Sequence, residues 1–134
     1  MDLEAVSLEI GTTLGSIAGL RVPAWGVEKI SPPAAIVALP ERIEYLTYGR
    51  GVDNYPDLPV VILVGVTNVR TARKQLAAYA AGSGASSVKA VLFAHAWVAC
   101  DSVRVSYAEF DNAKYAGTDY LAVIFHLDIV GRGA

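Results

Sequence analysis

Residues 48–67 read YGRGVDNYPDLPVVILVGVT, and the order of the two halves of this stretch decides the fold. Gly49 and Gly51 flank Arg50, and an apolar run follows at once. A glycine loop that grips phosphate leaves a strand and opens a helix, so that the free N–H groups of the first helical turn meet the anion. Here the glycines come before a strand. The chain has no GxxxxGK[ST] and no GxGxxG opening a helix. The stretch therefore predicts a loop over 49–57, of the kind that joins strands, and then a strand, LPVVILVGVT. That strand is apolar on both faces and suits a central place in a sheet. The loop carries Tyr48, Arg50, Asp53, Asn54 and Tyr55, and arginine and tyrosine are favoured contact residues at protein interfaces.

Working outward, residues 2–18 predict a helix. Leu3, Val6, Ile10, Leu14 and Ile17 recur at spacings of three and four, which places them on one face. Asp2 is in position to cap its start. Gly11, Gly15 and Gly19 lie four apart and leave a groove for close approach, with Gly19 a candidate helix stop. Three prolines and a glycine make 20–33 an extended connection, with Trp25 as its anchor. AAIVALP and RIEYLTYG predict two strands joined as a hairpin through residues 39–41. NVRTARKQLAAYAAGSG predicts a helix capped by Asn68 or Thr71. A second helix runs from about Ser86 to His95. SVRVSYAEF alternates, with Val103, Val105 and Tyr107 inward. TDYLAVIFHLDIV predicts a long last strand, with Leu121, Val123, Phe125, Leu127 and Ile129 on one face and Ala122, Ile124, His126 and Asp128 on the other.

Strands come in adjacent runs rather than alternating with helices, so the expected class is α+β: a mixed, mainly antiparallel sheet of about five strands with helices packed on one face, in a single domain. The 134 residues suffice for one core without staples. No internal repeat or low-complexity segment interrupts them.

Composition narrows the function classes. A net charge of −2 gives no strong basic field for nucleic acid, and no basic amphipathic face for a membrane surface. The single cysteine, Cys100, excludes an internal disulfide, and with only two histidines it cannot build a structural zinc site of the usual kind. The start, MDLEAVSLEI, lacks the pattern of a signal peptide, and the apolar stretches fall short of a membrane span, so a soluble chain in a reducing compartment is expected. Hydrophobic residues make up 54% and charged residues only 18%, against about 25% charged in average domains. With so few charges, apolar surface is left outside the core, and repeated subunit contact is its simplest use.

Catalytic readings are thin. Cys100 with His95 as base and Asp101 as orienting group is one arrangement a thiol nucleophile would need, yet a lone cysteine is commonly a small buried hydrophobe. His126 and Asp128 point the same way on a strand and, with a third acid, make a partial metal set; polar alternation explains them as well. Nothing calls for a cofactor or a metal, and no catalytic residue is assigned. Arg70, Arg73 and Lys74 crowd the first turns of their helix, where cations are unfavourable for the helix dipole, which hints at an outside partner or at nearby carboxylates.

Taken in order, IAGLRVPAWG after the first helix, PPAAIVALPERIEY, YGRGVDNYPDLPVVILVG, RTARKQLAAYA, SVKAVL, VRVSYAEF and YLAVIFHLDIVG span nearly the whole chain. This pattern resembles the tail terminator proteins of long-tailed (siphovirus-type) bacteriophages, above all those infecting actinobacteria. The resemblance implies a structural, non-enzymatic virion protein. It would form a ring, usually a hexamer, that caps the tail tube, ends its polymerisation and receives the head-completion or neck protein on its other face. The implied partners are further copies of the chain, the tail tube protein and the neck protein, with channel DNA nearby and no membrane; assembly takes place in the host cytoplasm. Tyr48, Arg50, Asp53 and Tyr55 are the interface candidates in the loop, and Arg70, Arg73 and Lys74 form a second, basic set. Another neck or tail component, such as a stopper or tube subunit, is the nearest alternative. A small thiol enzyme or ligand-binding module using Cys100 is the alternative from another class.

Overall fold

A computed structural model describes residues 2–22, 33–46, 52–65, 68–115 and 117–132. Three helices and five strands follow in the order α1 (Leu3–Leu14), β1 (Ala34–Val37), β2 (Glu44–Leu46), β3 (Val52–Gly65), α2 (Val69–Ala80), α3 (Val88–Ala94), β4 (Ser102–Tyr115) and β5 (Thr118–Arg132). All strand pairings are antiparallel, in the order β1-β3-β5-β4, with β2 also on β3. The fold is α+β.

Each helix starts where its sequence supplies a cap. Asp2 accepts from the N–H groups of Glu4 and Ala5, Asn68 from Thr71, and Ser87 from Ala90. Ser87 also donates its hydroxyl to the Ala81 carbonyl, tying the end of α2 to the start of α3. After Leu14 the chain leaves α1 through Gly15, and Gly19 adopts a positive φ of 81°, which only glycine takes without strain. Gly11 is needed for a different reason: a Cβ there would lie 3.2 Å from Val22 Cγ1.

The helices share one face of the sheet. Val6, Ile10 and Leu14 of α1, Ala72, Leu76 and Tyr79 of α2, and Val88 and Leu92 of α3 form one core with Leu58, Val60, Ile62 and Val64 of β3 and Val123, Phe125, Leu127 and Ile129 of β5. On the opposite face Leu63, Tyr120 and Ala122 form a smaller cluster with Ile36 and Val61.

Several local expectations are corrected. β1 and β2 do not pair with each other as a hairpin. Both run along the same edge of β3, Ala34–Val37 against Leu63–Val60 and Glu44–Leu46 against Asn54–Val52. Residues 39–41 are a detour between two pieces of one edge strand. Pro59 gives the reason. Its carbonyl accepts from Ala38 N–H, so its nitrogen faces the same edge, and a proline nitrogen donates nothing to a ladder.

Residues 52–57, expected in a loop, belong to β3, and the pairing between β3 and β5 slips between Tyr55 and Leu58. The slip is a bulge at Pro56 and Asp57, a place where proline is tolerated. A second bulge lies between Val105 and Tyr107 on β4, next to the first, the two meeting at Leu127 of β5. It moves Tyr107 off the helix face, so Tyr107 is not inward as its alternation with Val103 and Val105 suggested but half exposed. Most of the connection at 20–33, Trp25 included, lies outside the described residues.

Candidate functional site

The sequence-derived candidates fall in three places. Tyr48 and Arg50 lie outside the described residues. Asp53 is half-buried on β3, opposite Tyr45 of β2 and Gly131 of β5. Tyr55 is only 1% exposed and belongs to the core, because the bulge turns it to the helix face. Burial, then the charge of Asp53, pushes its phenol above the ordinary value. Its side chain is thus a packing element of the folded subunit rather than a surface group. Arg70, Arg73 and Lys74 are all exposed on the outer side of α2, whose first turn carries no acid, and among the described residues none of the three has an ion pair. Arg73 also borders a groove of about 480 Å³ between α2 and the β4–β5 ribbon, with Leu76, Ala77, Phe110 and Leu121.

His95 and Cys100 lie at one end of the helix layer but do not act on each other. The Glu9 carboxylate of α1 accepts from the N–H groups of Val98 (3.0 Å to Oε2) and Ala99 (2.7 Å to Oε1), and its Oε2 lies 2.7 Å from His95 Nε2. Burial opposes the Glu9 charge, yet the Ala99 N–H, the His95 ring and the Val98 N–H together hold its carboxyl below the usual value. The His95 ring meets Trp97 edge-on at 4.6 Å, and Trp97 Nε1 donates to the Leu92 carbonyl. Cys100 is buried, and burial, then the charges of Glu9 and Asp101, pushes its thiol up to about 11. A thiol at that value is almost wholly protonated near neutrality, the opposite of an activated nucleophile. Glu9 therefore clasps α1 to the 95–99 turn.

A polar cluster that sequence spacing did not show sits where the two bulges meet. His126, on the face away from the helices, has Asp57 of β3 at 2.6 Å from Nδ1 and Glu109 of β4 at 3.2 Å from Nε2. Tyr107 stacks on its ring, with centroids 4.2 Å apart and planes 13° from parallel. Burial disfavours the imidazolium, but the hydrogen bonds and charges of Asp57 and Glu109 outweigh it, and the His126 pKa is raised. With both nitrogens engaged, the imidazolium donates to both carboxylates and offers no lone pair to a metal. Asp128, its neighbour in the sequence pattern, instead meets Arg104 at 3.2 Å. Among the described residues no group of three His, Cys, Asp or Glu side chains forms a candidate metal set.

Large apolar side chains stand in solvent at separate points: Phe93 (86% exposed), Val98 (91%), Tyr45 (72%) and Phe110 (61%). Phe110 lies on β4, the outer strand of the sheet beyond β5. No model of a known protein family matches the chain, and no curated protein matches it either.

Proposed function

We propose that this chain is a structural subunit that closes into a ring and caps the tail tube of a long-tailed bacteriophage, ending tube growth and offering its other face to the neck. The observation that carries the reading is the surface: large apolar groups lie exposed at separate sites, on the helix layer (Phe93, Val98) and on the sheet edges (Tyr45, Phe110). A single copy leaves these groups in water, whereas patches at different places on one subunit suit head-to-tail contacts that close into a ring. The sequence resemblance supplies the particular ring. Capping requires complementarity to the last tube ring on one face and a second face that does not template another; no bond is made or broken. Tyr48, Arg50, Asp53 of β3 and the α2 cations Arg70, Arg73 and Lys74 remain its contact candidates.

Mass measurement and electron microscopy of the purified chain test this. Closed rings that stay rings at high concentration are expected. Long tubes would instead identify a tube subunit, and a monomer at every concentration would overturn the ring. The thiol-enzyme alternative needs Cys100, so a Cys100→Ala chain that assembles like wild type is the expected result here.

A further inference from the structure

Resting on the ring reading, we infer that the basic outer side of α2 in one copy docks on the acidic patch around Tyr107, on the opposite face of the sheet, in a second copy. Two surfaces of the same chain are matched in charge and placed where they cannot meet within one subunit. On the helix side, Arg70, Arg73 and Lys74 stand exposed without an ion pair among the described residues, at a helix start whose dipole disfavours them. On the far side, Asp57 and Glu109 flank His126, and Glu41 joins them, its N–H bonded to the Asp57 carbonyl at 2.8 Å. Two carboxylates thus flank one imidazole, and the charge of Glu41 reaches the neighbouring Tyr107, which leaves the patch negative even when His126 is protonated.

The patch is shaped for a protein cation rather than a metal ion. Both His126 nitrogens are already engaged, and what protrudes is the half-exposed Tyr107 ring among carboxylates. Partial desolvation, then the charges of Asp57, Glu109 and Glu41, pushes the Tyr107 phenol above its ordinary value. An aromatic face rimmed by carboxylates accepts a guanidinium by stacking and by ion pairing together. Among the described residues, Arg70, Arg73 and Lys74 form the dense cationic cluster that fits it; Arg42 and Arg104 are paired within the subunit to Glu44 and Asp128. Because donor and acceptor lie on opposite faces of one sheet, the contact is head-to-tail, the kind that closes into a ring when the rotation allows.

The test is charge swapping in the full chain, read by sedimentation. Arg70→Glu with Arg73→Glu, and separately Glu41→Lys with Glu109→Lys, should each weaken assembly at least about 100-fold, since like charges then face each other. A chain carrying all four changes should assemble again, because the attraction is restored with its sign reversed. Wild-type assembly should also loosen as salt shortens the screening length from about 10 Å at 0.1 M to about 3 Å at 1 M. If the wild type forms rings and the α2 reversal leaves them intact, this contact is wrong while the ring reading stands. Rings left intact together with lost retention on duplex DNA would assign the cations to nucleic acid and overturn the inference. A wild type that never assembles overturns both.

Discussion

Glu9 is the side chain whose removal should cost the described structure most for its size. Its carboxylate, 15% exposed, accepts from two backbone N–H groups and contacts His95, and so joins α1 to the turn that leads into β4. Hydrogen bonds to a charged group contribute about 1.5–3 kcal/mol each. Not all of that is lost on truncation: the Val98 N–H is exposed and regains water, and His95, a third exposed, is resolvated in part. The half-buried Ala99 N–H is left worst placed. Glu9→Ala should therefore destabilise by about 2–4 kcal/mol, and Glu9→Gln, which keeps the shape and one acceptor oxygen, by about half as much. For a chain of this length each kcal/mol lowers the melting midpoint by about 3–5 °C.

The pH dependence separates this account from simple loss of packing. The folded state holds Glu9 below its ordinary pKa of 4.5. A depressed carboxylate contributes stability that is present above the unfolded value and lost as pH falls through the folded one. Thermal melts of wild type and Glu9→Ala should thus differ most at neutral pH and converge as pH falls below 4.5 through the folded pKa. A variant within about 0.5 kcal/mol of wild type at neutral pH, or a gap that does not narrow as pH falls, would refute the clasp.

The His126 cluster carries the opposite sign. Its pKa is raised above 6.5 in the fold, so its contribution is full below that value and fades as pH rises through the folded pKa; wild type should lose stability relative to His126→Gln across that range in melts at stepped pH, and a constant difference would refute the triad. Cys100, with its thiol pushed up to about 11, should be alkylated by iodoacetamide at pH 8 at least about 100-fold more slowly than in urea-unfolded chain, since only about one thiol in a thousand is ionised there; equal rates would place the thiol in solvent. Gly117 turns the β4–β5 ribbon at a φ of 80°, so Gly117→Ala should cost about 1 kcal/mol in denaturant titration, and a neutral effect would mean the turn does not require glycine.

The fold class was legible because its signals are local and strong. The spacing of Val6, Ile10 and Leu14, the caps Asp2, Asn68 and Ser87, and the strict alternation of β5 each act within a few residues. The missed features are those that depend on which strand lies beside which. Nothing within AAIVALP or RIEYLTYG states that both lie on β3 rather than on each other; that follows from Pro59, outside both segments, whose missing donor interrupts the shared edge. Likewise Trp25 and the interface candidates Tyr48 and Arg50 lie outside the described residues.

The candidate site failed in the sequence for one further reason, and it is the same for its gains and its losses. Alternation assigns faces by counting in twos, and a bulge inserts one residue into the count. Crossing Pro56–Asp57, Tyr55 moves from a supposed contact loop into the core, while Asp57, in step with Pro59, stays on the His126 side. Crossing Ser106, Tyr107 and Glu109 leave the helix face and arrive beside the same histidine. Two prolines inside one apolar strand were the available signal, since proline within a strand marks an edge or a bulge. Had the count been shifted by one at Pro56, Tyr55 would have fallen on the helix face with Leu58 and Val60, while Asp57 shares the face of Pro59 and His126 by plain alternation. The β4 bulge carries no such mark, and only pairing with the regular β5 reveals it. The acidic patch therefore depends on the β4 bulge, and a substitution that irons it out should turn Glu109 to the helix face, away from Asp57 and His126, while leaving the core composition unchanged.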